Sequence, residues 1–185
     1  MTDDIFAIFP TITLDNDFFL RRISIEEDSL NFFNYINHSK VAEYLSVDDL
    51  PNSPETAKVE LGYWNHLFDR KSCFYWAIAT REDNKIIGTC GFNYWNKSQK
   101  RTEVSYDLDH NYWGRGITTK ALKAISDFSI NDMKVQRIQA TVAIDNISSI
   151  RVLEKTGFKR EGLIEKYGFL KEAARDFYMY AKLAI

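Results

Sequence analysis

The sequence predicts an α+β (mixed α/β) fold, a mixed sheet covered by helices, and the order of its elements is the main reason. Three strands follow one another in mid-chain, joined by short polar turns, and strands then alternate with amphipathic helices. Hydrophobic residues at 45% and aromatics at 15% of 185 positions provide a substantial core, which excludes a disordered or low-complexity chain. No internal repeat and no Gly/Ser/Pro-rich linker divides the sequence, so residues 1–185 are expected to form a single domain.

The elements follow in order. Phe18 to Ile25 alternates as a first strand. Glu26, Glu27 and Asp28 open a helix, with Leu30, Phe33 and either Tyr35 or Ile36 facing inward. Ser53, Pro54 and Glu55 start a second helix: a capping hydroxyl, a proline whose missing N–H costs nothing there, and an acid at the positive end. Behind them Ala57, Leu61, Trp64 and Phe68 form one apolar face. Strands are expected at Phe74–Ala79, Lys85–Trp95 and Glu103–Leu108, separated by polar turns at 81–84 and 96–100. A helix at Ile117–Asn131, a strand at Arg137–Ile144 and a helix at Ile147–Thr156 follow, and strands at Lys159–Lys166 and Phe177–Leu183 end the chain.

Composition narrows the function. A formal net charge of −2 gives no reason to expect nucleic acid or an anionic membrane as the main partner. Cys73 and Cys90 form no CxxC pair and His38, His66 and His110 are scattered, so neither a zinc site nor a disulfide framework is expected. Met1 to Pro10 carries Asp3 and Asp4 where a signal peptide carries basic residues, and no apolar run reaches the roughly 18 residues of a membrane span. A cytoplasmic location is the expectation.

The stretch Tyr112–Leu122, YWGRGITTKAL, carries the chemistry. It leaves a strand and opens a helix whose apolar positions are Ile117, Ala121, Leu122, Ile125 and Phe128. Gly114 and Gly116 let the backbone turn tightly and approach a ligand closely. The amides from Trp113 to Thr118 then point outward at the positive end of the helix dipole, an anion site suited to a pyrophosphate. Arg115, Thr118 and Thr119 add donors. A Walker A loop is absent, and a Rossmann turn would need glycine where Thr119 stands.

About thirty residues further, Asp145–Phe158 reads DNISSIRVLEKTGF. Together the two stretches resemble the GCN5-related N-acetyltransferase (GNAT) family, whose coenzyme A loop reads Q/R-x-x-G-x-G/A and whose later segment reads N-x-x-A-x-x-x-Y-x-K-x-G-F. Tyr112 or Trp113 stands near the usual Gln or Arg, and Asn146, Ser149, Lys155, Gly157 and Phe158 match the later segment. The tail, Glu161–Tyr167 and Arg175–Tyr180, is similar to the RimJ/RimL-type branch. The resemblance runs from about Phe18 to the C-terminus.

This resemblance implies a six- to seven-stranded GNAT sheet whose fourth and fifth strands splay apart, with the pantetheine arm of acetyl-CoA in the gap and no metal. Tyr106, Asp107 and Leu108 would bond that arm through their backbones, like an added strand. Trp113, Gly114, Arg115, Gly116, Ile117, Thr118 and Thr119 would hold the pyrophosphate. Asn146 and Ser149 would lie near the thioester, although Asn146 also suits the N-cap of its helix. Glu103 is the candidate base, working through water; an exposed acid beside Lys97, Lys100 and Arg101 is the plain alternative. Ser149 is the candidate proton donor, because the position where the family often carries tyrosine holds Leu153; an ordinary first-turn serine is the alternative. Gly157 is expected to end the second of these helices in a left-handed turn. The three histidines take no catalytic role. The acceptor is expected to be a protein N-terminal amine, with a polyamine, amino sugar or antibiotic as the second enzyme reading and a non-catalytic acyl-CoA sensor as the third. The family is often dimeric, and the sequence carries no interface signature for a homodimer.

Overall fold

Local chemistry at the helix ends sets the frame. The computed structural model describes residues 5–170 and 172–184; Asp3 and Asp4 lie outside the described residues. Helix α1 spans Ile25–Ile36, the short α2 Ser39–Ala42, and α3 Pro54–Asp69. Ser53 caps α3 as expected, its Oγ accepting from Thr56 N at 3.2 Å while Thr56 Oγ1 accepts from Ser53 N at 3.0 Å. Later come α4, Ile117–Asn131, and α5, Ile147–Lys155. Gly157 has φ +87°, and behind it Gly157 N donates to Glu154 O and Phe158 N to Leu153 O, so α5 ends in the Schellman turn that its glycine implies.

The strands are β1 Ile12–Thr13, β2 Phe18–Arg21, β3 Tyr75–Thr80, β4 Ile86–Asn96, β5 Arg101–Leu108, β6 Arg137–Ala143, β7 Lys159–Leu170 and β8 Ala173–Leu183. They form one eight-stranded sheet in the order β1-β2-β3-β4-β5-β6-β8-β7. Every neighbouring pair is antiparallel except β5 and β6. The count exceeds the expected six to seven by the two-residue β1, too short to show alternation. Strand β2 also ends at Arg21, four residues early. Asp28 pairs with Arg21 and accepts from Ser24 N at 2.8 Å, which turns the chain into α1.

Helices cover both faces. Ile117, Ala121, Leu122 and Ile125 of α4 and Leu153 of α5 pack with Trp76, Phe92, Val104 and Leu108. On the opposite side Phe32, Tyr35 and Ile36 of α1 join Ala57 and Leu61 of α3 against Ala77 and Ile86. The inward face of α1 is therefore Phe32, Tyr35 and Ile36. Leu30 stays exposed and Phe33 half-buried, a rotation of one residue from the sequence expectation.

Candidate active site

The site begins where the one parallel pair stops pairing. Strand β5 meets β6 only at Arg101, Thr102 and Glu103, opposite Arg137, Ile138 and Gln139. From Val104 onward β5 stays paired to β4 as far as Leu108, while β6 turns to β8 as far as Ala143. The two strands therefore diverge, and the β6-side edge of residues 104–108 faces a gap. The expected splay of the fourth and fifth sequence-predicted strands is this β5/β6 divergence.

At the open end of the gap lies the glycine loop. Gly114 and Gly116 have φ +77° and +72°, and Gly116 is the N-cap of α4. Without a side chain it caps nothing, and the first helical bond is Lys120 N to Gly116 O. Among the described residues the amides of Gly114, Arg115, Gly116, Ile117, Thr118 and Thr119 donate to no protein acceptor. Six such donors at a helix N-terminus suit a polyanion. Trp113 departs from the expectation: its amide donates to His110 O and its indole Nε1 to Leu108 O at 2.9 Å, so it closes the end of β5 and gives the loop no free amide. Ile117 offers only its backbone, since its side chain is buried in the core. Arg115 lies over the Tyr112 ring and reaches Asn111 O at 3.3 Å. Beside the loop a cleft of about 670 Å³ is lined by Tyr112, Arg115, Lys120 and Arg81. Its Lys120 is paired to Asp15, its Arg81 donates to Thr13 and its Arg115 to Asn111 O, so all three of these cations are already bonded to the protein.

Alternation along β5 then sorts the remaining groups onto two faces. On the α4/α5 face, the Tyr106 hydroxyl and Ser149 Oγ are 2.7 Å apart. Burial pushes the Tyr106 phenol up to about 12, against the Ser149 hydrogen bond. Asn146 Oδ1 accepts from Ser149 N at 3.1 Å, so Asn146 is the N-cap of α5 and fixes the turn that carries Ser149. Leu153 is fully buried and stands away from this chemistry.

On the α1/α3 face, Glu103 Oε2 accepts from Gln139 Nε2 at 2.9 Å across the last paired rung. Asp107 Oδ1 accepts from Tyr35 Oη at 2.8 Å and Thr89 N at 3.0 Å, and Thr89 Oγ1 donates to Oδ2. Glu103 and Ser149 are thus not brought into contact. They lie on opposite faces, with the gap between them.

A segment without any assigned role in the sequence bridges the mouth of the gap. His38, at the start of α2, stacks on His110 just beyond β5, with ring centroids 3.6 Å apart. Tyr44 donates to Asp145 O at 3.2 Å, just beyond β6. The Tyr106 side chain was also legible in part, since alternation places it opposite Glu103. No local signal marks Tyr35, His38 or Tyr44, whose contacts span 72, 72 and 101 positions of sequence.

Comparison with known proteins decides the family. The family model described as an acetyltransferase (GNAT) domain matches residues 17–159, more than half the chain. The chain belongs to the GNAT family. It is 29% identical over 164 residues to the uncharacterized N-acetyltransferase p20 of Bacillus licheniformis, covering 89% of this chain and 91% of that protein. It is 24% identical to the Escherichia coli [ribosomal protein uS5]-alanine N-acetyltransferase, across 93% and 91% of the two chains. Ribosomal-protein-S5-alanine acetyltransferase from Vibrio fischeri superposes with a TM-score of 0.82 at 25% identity, covering 94% of this chain and 96% of that one. The GNAT domain is an acyltransferase of the N-acetyltransferase class with RimJ/RimL-type relatives. Among the described residues no His/Cys/Asp/Glu cluster is placed to hold a metal ion, and no helix is long and apolar enough to cross a membrane.

Proposed function

We propose that this transferase moves an acetyl group from acetyl-CoA to a protein N-terminal α-amine. The carrying observation is the strand gap with six unpaired amides at its open end: a pantetheine arm fits the free edge of β5 while the diphosphate meets the loop. A solved RimL, 20% identical and superposing with a TM-score of 0.86, holds coenzyme A, which supports the same donor here. The acceptor reading rests on the uS5-alanine relative. An α-amine, with a pKa near 7.7–8.0 against about 10.4 for lysine, is the easier amine to neutralise at pH 7.

The two faces divide the work. Glu103 supplies negative charge at the closed end and, through water, a route for the proton of the incoming ammonium. Tyr106 and Ser149 form a hydroxyl pair on the far face. With its phenol up at about 12, Tyr106 keeps its proton across the working range and donates through Ser149 to the leaving thiolate.

Ser149→Ala is expected to lower kcat on the order of 10²-fold with the KM for acetyl-CoA little changed, and Tyr106→Phe to act in the same direction. Glu103→Gln is expected to lower kcat/KM for the amine by about tenfold or more. Thiol release measured over N-terminal peptides, polyamines and amino sugars checks the acceptor: peptides with a free N-terminus turn over fastest. Faster turnover of a polyamine or amino sugar contradicts that choice.

A further inference from the structure

The β5 strand carries two carboxylates on its α1/α3 face, and the geometry separates their roles. Glu103 lies on the last rung where β5 and β6 are still bonded. Paired strands run about 4.8 Å apart, too close for an arm of the cofactor to pass between them. The thioester must therefore lie farther along, beside residues 104–108, and Ser149 with Tyr106 marks its level from the α4/α5 face. Asp107 is the next residue on and faces the other way, towards α1. Glu103 is three residues back from Tyr106, roughly 10 Å along the strand.

An amine reaching the thioester carbonyl from the face opposite the Ser149–Tyr106 pair comes in on the β5 face that carries both Asp107 and Glu103. Asp107 is half-buried, and its carboxylate is held by Tyr35 from α1 and by Thr89 N and Oγ1 from β4. Oδ1 accepts two of those bonds and Oδ2 only one, which leaves acceptor capacity on Oδ2. The other groups around it are neutral or acidic. Strand β3 brings Tyr75, stacked on Trp64 of α3 at 4.3 Å; β4 brings Cys90; β5 brings Ser105 beside Tyr75; Asp28 of α1 acts on Tyr35 and Glu60 of α3 on Tyr75. No lysine, arginine or histidine is among the groups acting on Asp107. Burial pushes its carboxyl up to about 6, against the hydrogen bonds from Thr89 and Tyr35.

We propose that Asp107 is the catalytic base that takes the proton from the acceptor amine, oriented by Tyr35 and Thr89. The inference rests on the gap as the thioester site and revises one point of that reading: Glu103 attracts and orients the ammonium, and Asp107 receives its proton. The substrate ammonium gives one proton to Asp107 and becomes the neutral nucleophile. Its lone pair forms the C–N bond at the thioester carbonyl, and the C–S bond breaks with its electrons on sulfur. The thiolate takes a proton from the Ser149–Tyr106 pair, which the acylated nitrogen restores through solvent as it sheds its second proton. Asp107 releases the first to bulk water. A base near 6 stands about two pK units below an α-ammonium, a hundredfold disadvantage; an ordinary carboxylate near 3.9 stands about four below, roughly ten-thousandfold. Burial at this position therefore makes a better base without protonating it at pH 7.

The test is the pH profile of kcat/KM for the amine with acetyl-CoA saturating, because it reports the base of the enzyme before the amine binds. In the parent, activity falls about tenfold per pH unit below about 6. Glu103→Gln keeps that break. Asp107→Asn loses at least about a hundredfold in kcat/KM at pH 7.5 and loses the break, while coenzyme A affinity and melting temperature stay near parental values; Asp107→Glu restores part of the rate. Should Asp107→Asn fail to fold, Tyr35→Phe carries the test: removing a donor that holds the carboxylate charged moves the break to higher pH, a displacement a purely packing role for Tyr35 does not produce. Asp107→Asn turnover within threefold of the parent, a break near 6 surviving in it, or an unmoved break in Tyr35→Phe overturns the proposal with the acetyltransferase reading intact. A parent inactive towards every amine overturns both.

Discussion

Gly116→Val is expected to weaken coenzyme A binding by at least about a hundredfold while the protein still folds. Gly116 holds φ +72° with no protein atom within 4 Å of where a Cβ would stand. Crowding inside the fold therefore does not require glycine here; the left-handed backbone does, and so does the open space in front of it. A non-glycine residue in that conformation costs about 1–2 kcal/mol, and a branched one more. The strain is relieved by rotating the peptide, which swings the amides of Gly116 and Ile117 off their common direction. A charge-assisted hydrogen bond contributes about 1.5–3 kcal/mol, so losing two removes about 3–6 kcal/mol, or two to four decades in affinity. The valine branches also fill space a diphosphate would occupy. Calorimetric titration with coenzyme A, beside a thermal melt, separates the two losses: affinity collapses while stability falls by only a few kcal/mol.

Asp28→Asn is expected to cost about 3–5 kcal/mol of stability, the largest effect of a single substitution outside the site. Arg21 is 9% and Asp28 2% exposed, and they bond in a two-pronged pair with both distances 2.7 Å. Arg21 also donates to Asn84 Oδ1, Asn84 O and Arg22 O, so every part of the guanidinium that is out of water has a partner. Removing the carboxylate charge leaves an uncompensated buried cation. For a chain of this size each kcal/mol moves the melting temperature by roughly 2–4 °C, so a drop of about 6–20 °C is expected. The double replacement Arg21→Met with Asp28→Leu recovers most of it, because the penalty comes from stranding one charge and not from losing the pair. Thermal melts of both variants check this; equal losses in the single and double variants contradict it.

The elements that could be read beforehand are those specified by neighbours in sequence. Ser53 and Pro54 mark the start of α3, Gly157 the end of α5, and the limits of α4 match at both ends because the loop glycines and the apolar spacing are local signals. Strand β2 ends four residues before alternation places its end because Asp28, seven positions away, folds back on Arg21, a contact that alternation cannot encode. The α1 face shifted by one residue because tertiary packing against Ala77 and Ile86 selects Phe32 and Tyr35 over Leu30 and Phe33. At the site, the loop amides and Ser149 were visible in the motifs. The hydrogen-bonded surroundings of Asp107 were not, since Tyr35, Thr89 and Tyr75 come from three different elements and converge only in the folded sheet. Asp107 itself was singled out for its backbone alone; its side chain gained meaning from what surrounds it.

Donor binding at the glycine loop requires that the backbone amides from Gly114 to Thr119 receive a diphosphate. Titration of ¹⁵N-labelled protein with coenzyme A, followed by amide NMR, tests it most directly. The amides of Gly114, Arg115, Gly116 and Ile117 are expected to show the largest shifts and to gain protection from exchange, and pantetheine without its phosphates is expected to leave them nearly unmoved. Binding of coenzyme A that leaves those four amides undisturbed contradicts the account.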